Sequence, residues 1–227
     1  MNQNVQTRIM GGMEARHTQP WMASLGGGCG GTLISDRHVL TAGHCVQEDP
    51  PEGYSLFVTL GKFHLRKYDV GEIRIRVKSK SIHPEYWVEG DTAAYDIAIL
   101  TIEKPVKFSS NILPACLPKD ANKNYLGHKV ITAGWGRSIL KDNETEPSYP
   151  KERVLRAVNI TVRPMSECKK ASWFIDDLNN ITTPGRGINE TFTICAGKNN
   201  DEPIDTWIGA AMGDSGGIYT GLNLLRT

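Results

Sequence analysis

Apolar residues along the chain gather in short β-branched and aromatic runs, each broken within a few residues by Gly, Pro or Asp. In the first half these runs are Gly31 to Ser35, His38 to Thr41, Leu56 to Leu60, Ile73 to Lys80 and Ile97 to Ile102. Runs of this length between turn residues predict the strands of an antiparallel barrel or sandwich. The apolar period of a long amphipathic helix is missing, and only Ala42 to Val46 and Met165 to Ala171 predict short helical turns. A second set of strands is expected around Val130 to Ala133, Val154 to Val162 and Phe192 to Ala196. The Pro-bounded segment Leu113 to Pro118 lies between the two sets and reads as a link between lobes. Lys141 to Lys151 and Asp176 to Glu190 have turn composition and read as surface loops. The class is all-β.

Composition narrows the field. At 227 residues the chain exceeds the usual single-domain size, yet all-β units of this length are common, so one domain or two fused lobes is expected. With 26 basic and 25 acidic residues the formal net charge is +1, which provides no single-sign field toward nucleic acid or an anionic membrane. No stretch reaches the roughly 18 to 20 apolar residues of a membrane-spanning helix, and residues 1–8 lack the apolar centre of a signal peptide. Cysteines stand at 29, 45, 116, 168 and 195, so at most two bridges form within the chain and one sulfur is left over. Asn143, Asn159, Asn180 and Asn189 begin N-x-Ser/Thr sequons and are glycosylation candidates.

Amide hydrolysis needs a nucleophile, a base to take its proton, a group that orients the base, and donors for the developing oxyanion. Ser215 lies in Gly213-Asp214-Ser215-Gly216-Gly217, where small residues let the backbone turn sharply and bring N–H groups close to a substrate carbonyl. His44 ends Leu40-Thr41-Ala42-Gly43-His44, and Asp96 opens Asp96-Ile97-Ala98-Ile99-Leu100. Each alone is more often structural than catalytic. Of six histidines, at 17, 38, 44, 64, 83 and 128, only His44 has neighbours that favour catalysis.

Taken together, Thr-Ala-x-His-Cys, Asp-Ile-Ala-Ile-Leu and Gly-Asp-Ser-Gly-Gly, in the order His, Asp, Ser, resemble the trypsin-like serine endopeptidases of the chymotrypsin fold. The resemblance extends over nearly the whole chain to Gly217. It includes Arg8-Ile9-Met10-Gly11-Gly12, Pro20-Trp21, Cys29 to Ser35, Gly134-Trp135-Gly136 and Ile194-Cys195-Ala196-Gly197. It implies two antiparallel β-barrel lobes, about residues 9–117 and 118–227, after an activation segment of residues 1–8. It also implies that His44 is the general base, Asp96 holds its tautomer, and Ser215 attacks the scissile carbonyl. The N–H groups of Gly213 and Ser215 would form the oxyanion hole. Cleavage after Arg8 by an activating protease would free the Ile9 ammonium to pair with Asp214. Family pairing would join Cys29 to Cys45 and Cys168 to Cys195, while Cys116 resembles the cysteine that ties such enzymes to a propeptide. Bridges of this kind persist in oxidising compartments, so secretion is expected.

The departures from the family are specific. Gly43 stands where Ala is usual, and Val130 and Ala211 replace two cysteines. The specificity-pocket positions Gly209 and Ala210 lack the Asp that selects Lys or Arg, so a small or apolar side chain is expected in the substrate. After Ser215 there is no Ser-Trp-Gly segment, and Gly217 to Leu222 resembles a later family strand, so an incomplete second lobe is expected. Loss of that segment opens an alternative, a catalytically impaired homologue acting as a binding module. Where some relatives bind calcium just after a Leu-Gly pair, Leu60-Gly61 is followed by the cation Lys62, with Asp69 and Glu72 beyond. No metal and no cofactor is expected; the expected partners are a polypeptide substrate and the activating protease.

Overall fold

The computed structural model describes residues 13–15, 19–26, 28–89, 92–120, 122–136, 154–170, 194–197 and 219–221. Its strands, in chain order, are β1 (Met13–Glu14), β2 (Met22–Gly26), β3 (Cys29–Leu33), β4 (His38–Thr41), β5 (Phe57–Leu60), β6 (Ile73–Ile82), β7 (Trp87–Glu89), β8 (Thr92–Ala94), β9 (Ala98–Ile102), β10 (Lys129–Gly134), β11 (Arg156–Val162), β12 (Ala196–Gly197) and β13 (Tyr219–Gly221). Among the described residues the helical elements are a 3-10 turn at Gly43–Cys45 and the helix α1 (Met165–Lys170). Both coincide with the two short helical runs expected from sequence.

Strands β2, β3, β4, β9, β6 and β5 close into an antiparallel barrel in that order. Closure follows from alternation. Along β6, Ile73, Ile75 and Val77 pack against the barrel core while Arg74, Arg76 and Lys78 face outward and are exposed. Opposite them Leu33, Val39, Val58, Leu60, Leu100 and Ile102 are fully buried. Each such side chain contributes on the order of 1.5–3 kcal/mol by leaving water.

Among the described residues the second lobe is a partial sheet. Its path is β1-β11-β10-β13, with β12 paired to β11. Strand β13 covers the tail expected to be a strand, and it pairs antiparallel with β10 in the register Val130↔Gly221. Val130, standing where a cysteine is usual, is buried. The all-β class thus agrees with the sequence, as does the partial second sheet among the described residues. Strands β1, β2, β7 and β8 were not expected from it.

A second apolar cluster joins the lobes. Trp21 and Met22 from the first lobe pack with Ala133, Trp135 and Leu155 from the second. Phe63 supplies the polar centre of this junction, because its carbonyl accepts the Leu155 N–H at 2.8 Å and the Trp135 Nε1–H at 3.0 Å. The loop carrying Phe63 is held by ions. The Lys62 ammonium donates to Glu72 Oε2 at 2.6 Å and to the Lys67 carbonyl at 2.8 Å. One Asp69 oxygen accepts the backbone N–H groups of Phe63 and His64, each at 2.8 Å, and the other meets His64 Nδ1 at 2.7 Å. Burial alone would raise the Asp69 carboxyl, but these hydrogen bonds outweigh it and hold its pKa below the ordinary carboxylate value. Lys62 thus pairs with Glu72, while Asp69 is held by backbone N–H groups and the His64 ring.

Candidate active site

Thr41 ends β4, and the chain turns at once into the 3-10 turn Gly43–Cys45, which presents His44 at the rim of the first barrel. Asp96 lies two residues before β9, which pairs with β4 in the register Thr41↔Ala98. That pairing brings two residues 52 positions apart into contact. The His44 backbone N–H donates to Asp96 Oδ1 at 2.8 Å, and the ring Nδ1–H donates to Oδ2 at 2.7 Å. A carboxylate can only accept, so this contact places a proton on Nδ1, and in the neutral ring the lone pair is then on Nε2. The imidazole remains reachable, with 42% of its side chain exposed against 28% for Asp96.

The local backbone is shaped to hold that carboxylate. Tyr95, just before Asp96, has φ +52°, a left-handed conformation disfavoured for a residue with a Cβ. It is held there by its contacts. Its ring stacks on His83 at 4.6 Å between centroids, its carbonyl accepts the Ile97 N–H at 2.7 Å, and His83 N–H returns to the Ile97 carbonyl at 3.0 Å. Strain retained next to a reactive group is a feature of functional sites.

Gly43 has a physical reason here. A Cβ at that position would lie 3.2 Å from Asp96 Oδ1, 3.2 Å from Tyr86 Cδ2 and 3.3 Å from Ile82 Cγ2. The Tyr86 ring thus occupies space beside the missing methyl. Its hydroxyl donates to Gln47 Oε1 at 3.1 Å, bridging to the segment that follows His44. Burial, with the nearby Asp96 charge second, pushes the Tyr86 phenol above its ordinary pKa, so it stays a donor. From the other side the Lys80 ammonium caps the same segment, bonding the Val46, Gln47 and Glu48 carbonyls and Asp49 Oδ1. Tyr86, Gln47, Tyr95 and Lys80 were not found in the sequence, because their roles arise from contacts between distant strands.

Cys29 and Cys45 form a disulfide beside His44, as the resemblance implied. Donor atoms of Cys29, His44 and Cys45 lie within 4.8 Å of one another, the spacing of a metal site. Both sulfurs are spent in the bridge, whereas a metal needs thiolates. Cys195 is also disulfide-bonded. The side chain of Cys168, its expected partner, lies outside the described residues. Cys116 is exposed and free. Asn159 lies exposed in β11, so its sequon is accessible. The residues Ile9, Asn143, Asn180, Asn189, Gly209, Ala210, Gly213, Asp214 and Ser215 lie outside the described residues.

Comparison with known proteins matches the trypsin family model to residues 9–220. Melanization protease 1 of Drosophila melanogaster is 32% identical over 241 residues, covering 95% of this chain and 54% of that protein. Vitamin K-dependent protein C of Oryctolagus cuniculus is 30% identical over 218 residues, covering 92% of this chain and 42% of that protein. The chain thus spans about half the length, or less, of these curated relatives. Among solved structures, mouse neuropsin, described as a serine protease expressed in the limbic system of the brain, superposes with a TM-score of 0.69 at 26% identity. The match covers 95% of this chain and 84% of neuropsin. Among the described residues no helix is long and apolar enough to cross a membrane.

Proposed function

The chain belongs to the trypsin family, and on that basis we propose that it is a secreted serine endopeptidase working through His44, Asp96 and Ser215. The observation that carries this reading is the double acceptance by Asp96 of His44 N–H and Nδ1–H, at 2.8 and 2.7 Å. A base held in that tautomer takes the Ser215 hydroxyl proton as the oxygen attacks a peptide carbonyl. The same proton then passes to the leaving amine, and water repeats the cycle on the acyl-enzyme. Gly213 and Ser215 N–H groups would bind the oxyanion, and Gly209 and Ala210 would admit a small or apolar side chain.

Activation would come from cleavage after Arg8, with the Ile9 ammonium pairing with Asp214. Release outside the cell is supported by two cysteines joined beside His44 and a third in a bridge, since such bonds persist in oxidising compartments. Sugars at Asn143, Asn159, Asn180 or Asn189 and a propeptide bridge at Cys116 belong to the same reading. The domain runs from residue 9, with lobes of about 9–117 and 118–227. A fluorophosphonate probe should label Ser215 after cleavage at Arg8. Failure to label folded, cleaved protein would overturn the reading and favour the alternative, a homologue that binds partners without turnover.

A further inference from the structure

His44 has a second neighbour besides Asp96. Its Nε2 lies 3.6 Å from Cys45 Sγ, and Cys29, His44 and Cys45 are the one group of three potential metal ligands among the described residues. While the Cys29–Cys45 bridge is closed, the sulfurs are not thiolates and hold no ion. Opening the bridge changes the chemistry of the same atoms. A tetrahedral zinc with Zn–S of about 2.3 Å and Zn–N of about 2.1 Å sets its nitrogen and sulfur ligands ~3.6 Å apart. The His44–Cys45 pair already stands at that separation. Two thiolates on such an ion sit ~3.8 Å apart. The Cα atoms of Cys29 and Cys45, 6.0 Å apart, allow that spread by rotation about each Cα–Cβ bond.

The surroundings suit the ion. His44 Nδ1–H donates to Asp96 Oδ2 at 2.7 Å, the carboxylate–histidine arrangement that fixes the ring and makes the other nitrogen a better ligand. The elements carrying the ligands do not depend on the bridge alone. Thr41 Oγ1–H donates to the Gly30 carbonyl at 2.8 Å in a buried contact, Thr32 pairs with Leu40 across β3 and β4, and Lys80 binds the Val46 carbonyl just after Cys45. His44 is exposed and both cysteines are half-buried, so a reductant and then an ion can reach them.

We propose that reduction of the Cys29–Cys45 bridge converts this corner of the barrel into a zinc site made of Cys29 Sγ, Cys45 Sγ and His44 Nε2, with water in the fourth position. The reductant is a dithiol. One of its sulfurs attacks the bridge and releases one cysteine, and the other closes on the mixed disulfide to release the second. The dithiol leaves as a disulfide, having given two electrons and two protons, and the bridge has become two thiols. Zinc then displaces one proton from each thiol. With Nε2 on the metal, His44 cannot accept the Ser215 proton, so the same event silences hydrolysis. That consequence rests on His44 being the base; the binding does not.

The test uses cobalt(II) as the probe, because thiolate-bound tetrahedral cobalt has visible absorption bands that are read without turnover. The full chain carrying Cys116→Ser, which removes the exposed free thiol, is reduced with a dithiol, desalted without air and titrated. One equivalent should bind with thiolate bands, zinc should displace it, and the unreduced protein should show no such bands. Asp96→Asn should weaken binding by about 10–100-fold, and His44→Ala, at an exposed side chain, should weaken it more. Thiols opened at other positions, Cys195 among them, are present in every variant, so the difference between variants reads this site alone. Equal bands with His44→Ala, affinity unchanged by Asp96→Asn, or loss of the barrel on reduction, seen by circular dichroism, would each overturn the proposal. Peptide hydrolysis by the activated protein is read separately and should fall with zinc only after reduction. Cobalt binding as expected in a protein that never hydrolyses peptides would support the site and count against the endopeptidase reading.

Discussion

Asp96 grips His44 at two points, taking the backbone N–H at 2.8 Å on one carboxylate oxygen and the ring Nδ1–H at 2.7 Å on the other. One side chain therefore fixes both the position of the base and the location of its proton. Asp96→Asn keeps the size of the group but offers an amide donor toward the ring. In the activated protein this variant should lose kcat by about 10⁴-fold with the fold intact. Peptide-substrate kinetics with nitrogen-resolved NMR of His44 would check both parts, the second showing the proton moved from Nδ1.

The crowding around Gly43 makes a prediction of opposite signs in two backgrounds. Adding a methyl there forces Tyr86 or Asp96 to give by a few tenths of an ångström. Gly43→Ala alone should cost about 1 kcal/mol of stability. With Tyr86→Ala already made, the same change should be neutral or gain about 0.5 kcal/mol through a stiffer unfolded chain. Denaturant melts of the four proteins in the cycle would measure the coupling.

Asp69 predicts how stability varies with acid. Its pKa is lowered in the fold, so its contribution is fully present above the unfolded carboxylate value of about 3.9 and is lost as pH falls through the lower folded value. Asp69→Asn should cost about 2 kcal/mol near neutrality, because hydrogen bonds to a charged acceptor are lost. The gap between wild type and variant should close as pH drops below the ordinary carboxylate range. Melts over pH 2 to 7 would follow it (a flat difference would be the contrary result).

Trp135→Phe removes the Nε1–H that reaches Phe63 across the lobes. The Phe63 carbonyl keeps its bond from Leu155, so no acceptor is left orphaned. The cost should be about 1–2 kcal/mol, the lost bond plus the smaller ring. A larger loss, measured by thermal unfolding, would mean that the junction depends on this contact more than its geometry implies.

What could be read from the sequence followed chain proximity. His44 and Asp96 carry their signature in adjacent residues, and Ile73 to Lys80 announced β6 through its own composition. The two-residue β1 and the three-residue β7 and β8 have no run long enough to show. Lys62, Asp69 and Glu72 were noted as a charge pattern, but not that they frame Phe63, whose value lies in partners 72 and 92 residues away. In the sequence Gly43 is simply a glycine where Ala is usual. Only the fold shows Tyr86 beside that space.

The Lys80 ammonium, enclosed by three backbone carbonyls and Asp49, has a chemical consequence. An amine whose hydrogens are all engaged must leave its nest before it can lose a proton and attack an acylating reagent. Lys78, exposed two residues earlier, should react freely under the same conditions. The ratio of the two labelling rates is therefore a clock for opening of the segment behind His44, which can run well before the barrel itself unfolds.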